Sequence, residues 1–183
     1  MNHQRERPDP FDAFGLVARQ GVIEGDVDPF DLDRLHESLG DEDGEIPPSK
    51  VHYRLEGEVD ALGRSVLNVA LDGQVPLQCQ RCLRLFFWTV HQRTATLLAH
   101  DEKELAYLDD NDEREVLLAA APVDPLEIVE EELVLCLPYV PRCDRPDCLA
   151  QTAAQIADGT LPERSSPFGA LGALKRDDKT DRN

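Results

Sequence analysis

Hydrophobic and polar residues alternate most cleanly between positions 66 and 79. Leu67, Val69, Leu71, Val75, Leu77 and Cys79 fall on every second position, with Gly73 filling the gap. Asn68, Asp72, Gln74 and Gln78 take the other parity. Side chains alternate across a strand, so this pattern predicts a strand with one dry and one wet face. Cys79-Gln-Arg-Cys82 then reverses the chain, and Leu85 to Leu98 reads as the returning strand. The same period of two starts at Lys50, where Val51, Tyr53, Leu55 and Val59 share one face and His52, Arg54, Glu56 and Glu58 the other. Leu62-Gly63 is the turn between these runs, and Gly21 to Val27 is a candidate first strand. Consecutive strands joined by short turns predict an antiparallel meander, either open or closed as a barrel.

Two helix starts stand out. Asp28-Pro29 opens one, Asp28 as N-cap and Pro29 at the first helical position, with Phe30, Leu32, Leu35 and Leu39 at helical spacing and Gly40 as the stop. Asp124-Pro125-Leu-Glu127 opens the other, running to Leu137 before Pro138. Its apolar stripe is Leu126, Val129, Leu133 and Cys136–Leu137, and Glu130 to Glu132 read as a solvated face, since burying three carboxylates is prohibitive. Asp101 to Glu115 is acidic and poorly periodic, a loop around a short strand at Leu105–Leu108. The expected fold is α+β: a small antiparallel sheet packed by one or two helices, with disordered acidic termini. Residues 1–20 read as a flexible lead-in with a short docking segment around Phe11, Phe14, Leu16 and Val17, 21–157 as the domain and 158–183 as a mobile tail carrying an apolar segment at 167–175.

Charge changes the picture by its distribution. The net charge is −18, yet residues 50–100 hold 6 basic against 4 acidic side chains. The excess acid lies in residues 1–49 (13 acidic, 4 basic) and 101–132 (13 acidic, 2 basic). Strong acidity disfavours direct, salt-driven binding to phosphate backbones. An acidic protein can still dock on the basic surface of another protein. The N-terminus has no apolar core of a secretory signal, and the longest apolar run, Val116 to Val123, is too short to span a bilayer. A cytoplasmic protein with no membrane contact is expected, its 5 cysteines reduced.

Reduced cysteines favour metal binding or burial. Cys79-x2-Cys82 and Cys143-x4-Cys148 offer four thiolates in two turn-borne pairs, a donor set that suits one structural zinc. The competing reading is four small buried residues that never meet. Cys136 lies on the helix stripe and belongs to the core. A thiol-redox reading of Cys79 and Cys82 is the weaker one, because a redox pair usually opens a helix and this motif precedes a strand. Arg81, Arg84 and Trp88, with Phe86, Phe87 and Arg93, form the one basic-aromatic cluster, which reads as core plus wet face or as a contact for RNA or a protein partner. The histidines form no ligand pair, no serine sits in a nucleophile elbow and no glycine loop cradles phosphate, so neither an enzyme nor a small-molecule substrate is expected.

Three stretches together resemble a known family. Leu77-Gln-Cys-Gln-Arg-Cys-Leu83, Glu131-Glu-Leu-Val-Leu-Cys-Leu-Pro-Tyr-Val-Pro-Arg-Cys143 and Pro167-Phe-Gly-Ala-Leu-Gly-Ala-Leu-Lys175 are similar, in this order, to the YceD family of large ribosomal RNA subunit accumulation proteins. The resemblance implies a non-enzymatic factor in ribosome biogenesis that supports synthesis, processing or stability of large-subunit ribosomal RNA. It implies contact with the large-subunit precursor, ribosomal proteins or ribosomal RNA, and no catalytic residues. Phe168, Leu171, Leu174 and Lys175 would then form a docking motif in the tail.

Overall fold

The computed structural model describes residues 7–35, 38–40 and 48–150. The chain divides into two units, Met1–Cys143 and Asp144–Asn183. The boundary expected at residues 157 and 158, and the tail residues Phe168, Leu171, Leu174 and Lys175, lie outside the described residues.

The alternating stretches form the sheet of the first unit. β1 (Val22–Val27), β2 (Lys50–Val59), β3 (Ser65–Gln78) and β4 (Leu85–Ala99) run antiparallel in sequence order, and β5 (Val116–Leu118) adds to β4 in parallel. The described sheet is open, not a closed barrel. β3 and β4 form one long hairpin, in register from Val66 opposite Leu97 to Gln78 opposite Leu85. The dry face is as the period predicts: Val51, Tyr53, Leu55, Leu67, Val69, Leu71, Val75 and Leu77 are all buried. Val59, expected on that face, is 48% exposed, because the strand runs past the helices that cover the sheet and Gly57 takes the last buried position.

Two helices cover the dry face. α1 (Ala13–Ala18) is capped by Asp12, whose carboxylate accepts from the Gly15 N–H, and it buries Ala13, Leu16 and Val17. Burying Leu16 and Val17 contributes about 1.5–3 kcal/mol each relative to exposure. Residues 7–20 are therefore not a flexible lead-in: Phe11 bridges to Val123, and α1 packs over β2. The apolar cluster at Phe11, Leu16 and Val17 supplies enough buried surface to hold the segment. Gly57 makes the close approach possible, since a Cβ there would lie 2.6 Å from the Val17 Cα.

α3 (Pro125–Cys136) starts as its cap predicts, with Asp124 accepting from the Leu126 N–H at 2.8 Å, and it buries Ile128, Val129 and Leu133. Glu132 corrects the solvated-face reading. It is only 5% exposed, and the Thr94 hydroxyl donates to its Oε2 at 2.7 Å. β4 makes this possible by placing polar Gln92 and Thr94 on the dry parity beneath α3, with the Gln92 amide donating to Thr94 at 3.1 Å. Glu131 remains exposed.

Two further expectations change. The helix predicted from Asp28 is two 3-10 turns, Pro29–Asp31 and Asp33–Leu35, broken at Leu32 by an extended backbone. Pro29, Leu32 and Leu35 are the buried residues, and a spacing of three suits a 3-10 turn better than an α-helix. The loop expected over 101–115, with a strand at 105–108, instead holds α2 (Glu102–Asn111). Asp101 accepts from the Lys103 and Glu104 N–H groups, and Glu104 reaches back to the His100 N–H at 2.8 Å. α2 packs Leu108 on the second face of the sheet, with Val66, Leu97 and Ala99 as a small separate core.

Candidate metal centre

The β3–β4 hairpin ends in a six-residue turn, Cys79 to Arg84. It closes by backbone bonds from the Cys79 N–H to the Arg84 carbonyl (3.0 Å) and from the Leu83 N–H to the Cys79 carbonyl (2.8 Å). Leu83 holds a left-handed backbone at φ 58, a conformation that costs a non-glycine residue about 1 kcal/mol. The turn thus accepts strain in order to curl its backbone around Cys79.

α3 delivers the second turn. Pro138 ends the helix, and the Gln80 N–H donates to the Pro141 carbonyl at 2.8 Å. The Arg81 guanidinium donates to the Cys143 carbonyl at 2.6 Å. These bonds bring the thiols into register: Cys82 and Cys143 sulfurs are 3.7 Å apart, and the Cys143 N–H donates to the Cys79 sulfur at 3.3 Å. Cys148 lies in the second unit, where residues 146–150 are helical from Pro146. Within the first unit the sulfurs of Cys79, Cys82 and Cys143 all lie within 4.8 Å of one another.

The chemistry of the set fits a soft, tetrahedral cation. Cys79, Cys143 and Cys148 are buried and Cys82 half-buried, so little water competes for the sulfurs. Burial alone would push the Cys79 thiol up. The backbone N–H groups of Cys143, Cys82 and Arg81 outweigh burial and bring it down to about 5. A thiolate held by peptide N–H groups in a dry turn is the form that binds a metal. Three sulfurs brought together by the first unit, with no carboxylate among them, favour zinc over a hard cation. Cys136 stands apart as expected: it is half-buried against the main core, its thiol donates to the Leu133 carbonyl, and burial pushes its pKa up.

The basic-aromatic residues do not form one surface. Arg81 is turned into the knuckle, and Trp88 and Phe86 pack against the main core. Arg84 is exposed, as is Phe87 on the opposite face of β4. The sequence missed a second polar constellation. Arg64 and Arg114 each pair with both Asp60 and Asp112, at 2.8–3.1 Å, joining the β2–β3 turn to the end of α2. The one available signal was the excess of Asp in turns, which does not reveal long-range pairing.

Comparison with known proteins gives the family. A family model described as large ribosomal RNA subunit accumulation protein YceD matches residues 67–175, more than half of the chain. The chain belongs to the YceD family. No solved structure matches it significantly. The span matched to YceD begins in β3 and contains both cysteine pairs and α3, while α1, β1 and β2 precede it. The family's name ties it to the large ribosomal subunit and to accumulation of its RNA.

Proposed function

We propose that this protein is a cytoplasmic, non-enzymatic factor that supports synthesis, processing or stability of large-subunit ribosomal RNA through contacts with ribosomal proteins on the precursor particle. Membership of the YceD family carries this reading. The charge distribution supports the mode of contact: the 101–132 block, with 13 acidic and 2 basic residues, complements basic ribosomal proteins and not RNA phosphates. Zinc held by Cys79, Cys82, Cys143 and Cys148 would serve as a structural staple of the knuckle.

The test is depletion of the protein followed by quantification of the ribosomal RNAs and gradient sedimentation. The expected result is a fall of large-subunit relative to small-subunit RNA, with the protein co-sedimenting with large-subunit precursors. An unchanged ratio, with all of the protein at the top of the gradient, would overturn the reading. The thiol-redox alternative is disfavoured by Cys79, which is 0% exposed, because a redox nucleophile must be reached by its partner. Direct RNA binding is disfavoured by the inward Arg81 and the packed Trp88.

A further inference from the structure

A cavity of about 320 Å³ lies between α3 and the β4–β5 edge, away from the cysteines. Its apolar floor is Leu67, Val116 and Ile128, and carboxylates of Glu115, Glu131 and Glu132 stand in its walls. One cation is present, Arg34, and it is already engaged: its guanidinium pairs with Glu131 at 3.3 Å, and its N–H donates to Glu130. Glu115 and Glu132 have no ion-pair partner among the described residues. Two apolar side chains of its lining are exposed, Val134 (37%) and Leu135 (65%). The cavity is therefore apolar in depth, anionic in its walls and flanked by apolar side chains. The size accommodates one or two side chains with long stems.

We infer that this cavity is the docking pocket for an arginine- or lysine-bearing amphipathic segment of a basic protein. The methylene stem would lie along Ile128 and Val116 while the cationic head reaches Glu115 and Glu132. Arg34 shows how a guanidinium is received at this wall, since it already rests on Glu131. Leu135 and Val134 would meet the apolar residues of the same segment. This assignment rests on the proposed docking on ribosomal proteins and locates it on the chain.

The probe is a synthetic amphipathic peptide with arginine and leucine on one helical face, titrated against the full chain by methyl NMR. A matched peptide carries citrulline, neutral and nearly isosteric, in place of each arginine. The expected result is selective shifts of the Ile128 and Val116 methyl signals, with citrulline weakening binding about tenfold or more, as loss of a charged contact does. A Glu115→Gln variant removes one exposed carboxylate assigned to the cationic head, melts no lower than the native chain and also loses about tenfold in affinity. Equal binding of the citrulline peptide, shifts confined to other surfaces, or no shift at millimolar peptide overturns the assignment. So does saturation of the same methyl signals by calcium or magnesium chloride alone, which marks a cation site. Broadening of those signals with protein concentration alone marks a second copy as the occupant and equally overturns it. Co-sedimentation with large-subunit precursors is measured in parallel. If it persists while the peptide fails, the pocket assignment falls and the proposed function stands.

Discussion

The Cys143 N–H donates to the Cys79 sulfur at 3.3 Å, joining two turns 64 residues apart in sequence. It ties the tip of the β3–β4 hairpin to the chain leaving α3. A hydrogen bond from a peptide group to a sulfur stabilises the thiolate, so the contact prepares the ligand and fixes the backbone together.

Protein purified without chelator is expected to hold about one zinc per chain by elemental analysis, if the four thiols act as one structural site. Cys82→Ser and Cys143→Ser should each abolish stoichiometric zinc. At free zinc a thousandfold above Kd, binding contributes roughly 4 kcal/mol, so chelation should lower the melting temperature of the native chain markedly and leave the variants unchanged. Full stability in chelator with four freely titrating thiols would remove the site.

Gly57→Ala should destabilise the fold by about 1–3 kcal/mol, because the new methyl carbon would meet the α1 backbone at Val17 and neither element can yield cheaply. Denaturant titration measures it. Wild-type stability in the variant would mean that α1 does not dock on β2 as closely as described.

Acid should weaken the Asp60–Arg64–Asp112–Arg114 network. The Arg64 backbone N–H, with the side chains of Arg64 and Arg114, holds the Asp60 carboxyl well below its ordinary value of 3.8, and the Arg114 side chain does so first for Asp112. A folded pKa depressed in this way gives stability that is complete above the unfolded value and is lost as pH falls through the folded one. Melting curves from pH 7 to pH 2 should therefore drop more steeply for the native chain than for Asp60→Asn/Asp112→Asn, the two converging at the acid end. Parallel curves would show that the network adds nothing to stability.

Glu132 should have the opposite sign. Burial raises its pKa, helped by Glu115 and opposed by Thr94, so the folded chain holds this proton more tightly than the unfolded one. Stability is then lost as pH rises from the ordinary carboxyl range through the raised folded value. Glu132→Gln keeps an acceptor for Thr94 and should raise stability at neutral pH, the gain shrinking on acidification. A gain that does not vary with pH would mean that the folded chain does not hold this proton more tightly than the unfolded one.

Alternation along the chain sets the four antiparallel strands, whereas the parallel strand β5 carries no such pattern and is not expected from the sequence. Alternation over residues 51–55 and 67–79 fixed which side chains face inward, because a period of two admits one burial pattern on a half-covered strand. The sequence by itself also set the start of α3, since Asp124-Pro125 satisfies and omits backbone donors in one step. The turn at Cys79–Cys82 is visible in the sequence, whereas Cys148, expected in a turn, lies on the helical residues 146–150. Only the tertiary structure brought the hairpin tip to the end of α3, through the Gln80–Pro141 and Arg81–Cys143 bonds. The same holds for α1, whose short apolar run gains its stability from the space above Gly57. It holds for α2, where the cap signal at Asp101 and Glu104 was masked by acidic composition. It holds most of all for Glu132. A carboxylate on a helix reads as solvated until a strand 38 residues away in sequence supplies Thr94 to receive it. Local periodicity reports which face of an element is dry, whereas partner contacts between distant turns depend on how those faces are stacked.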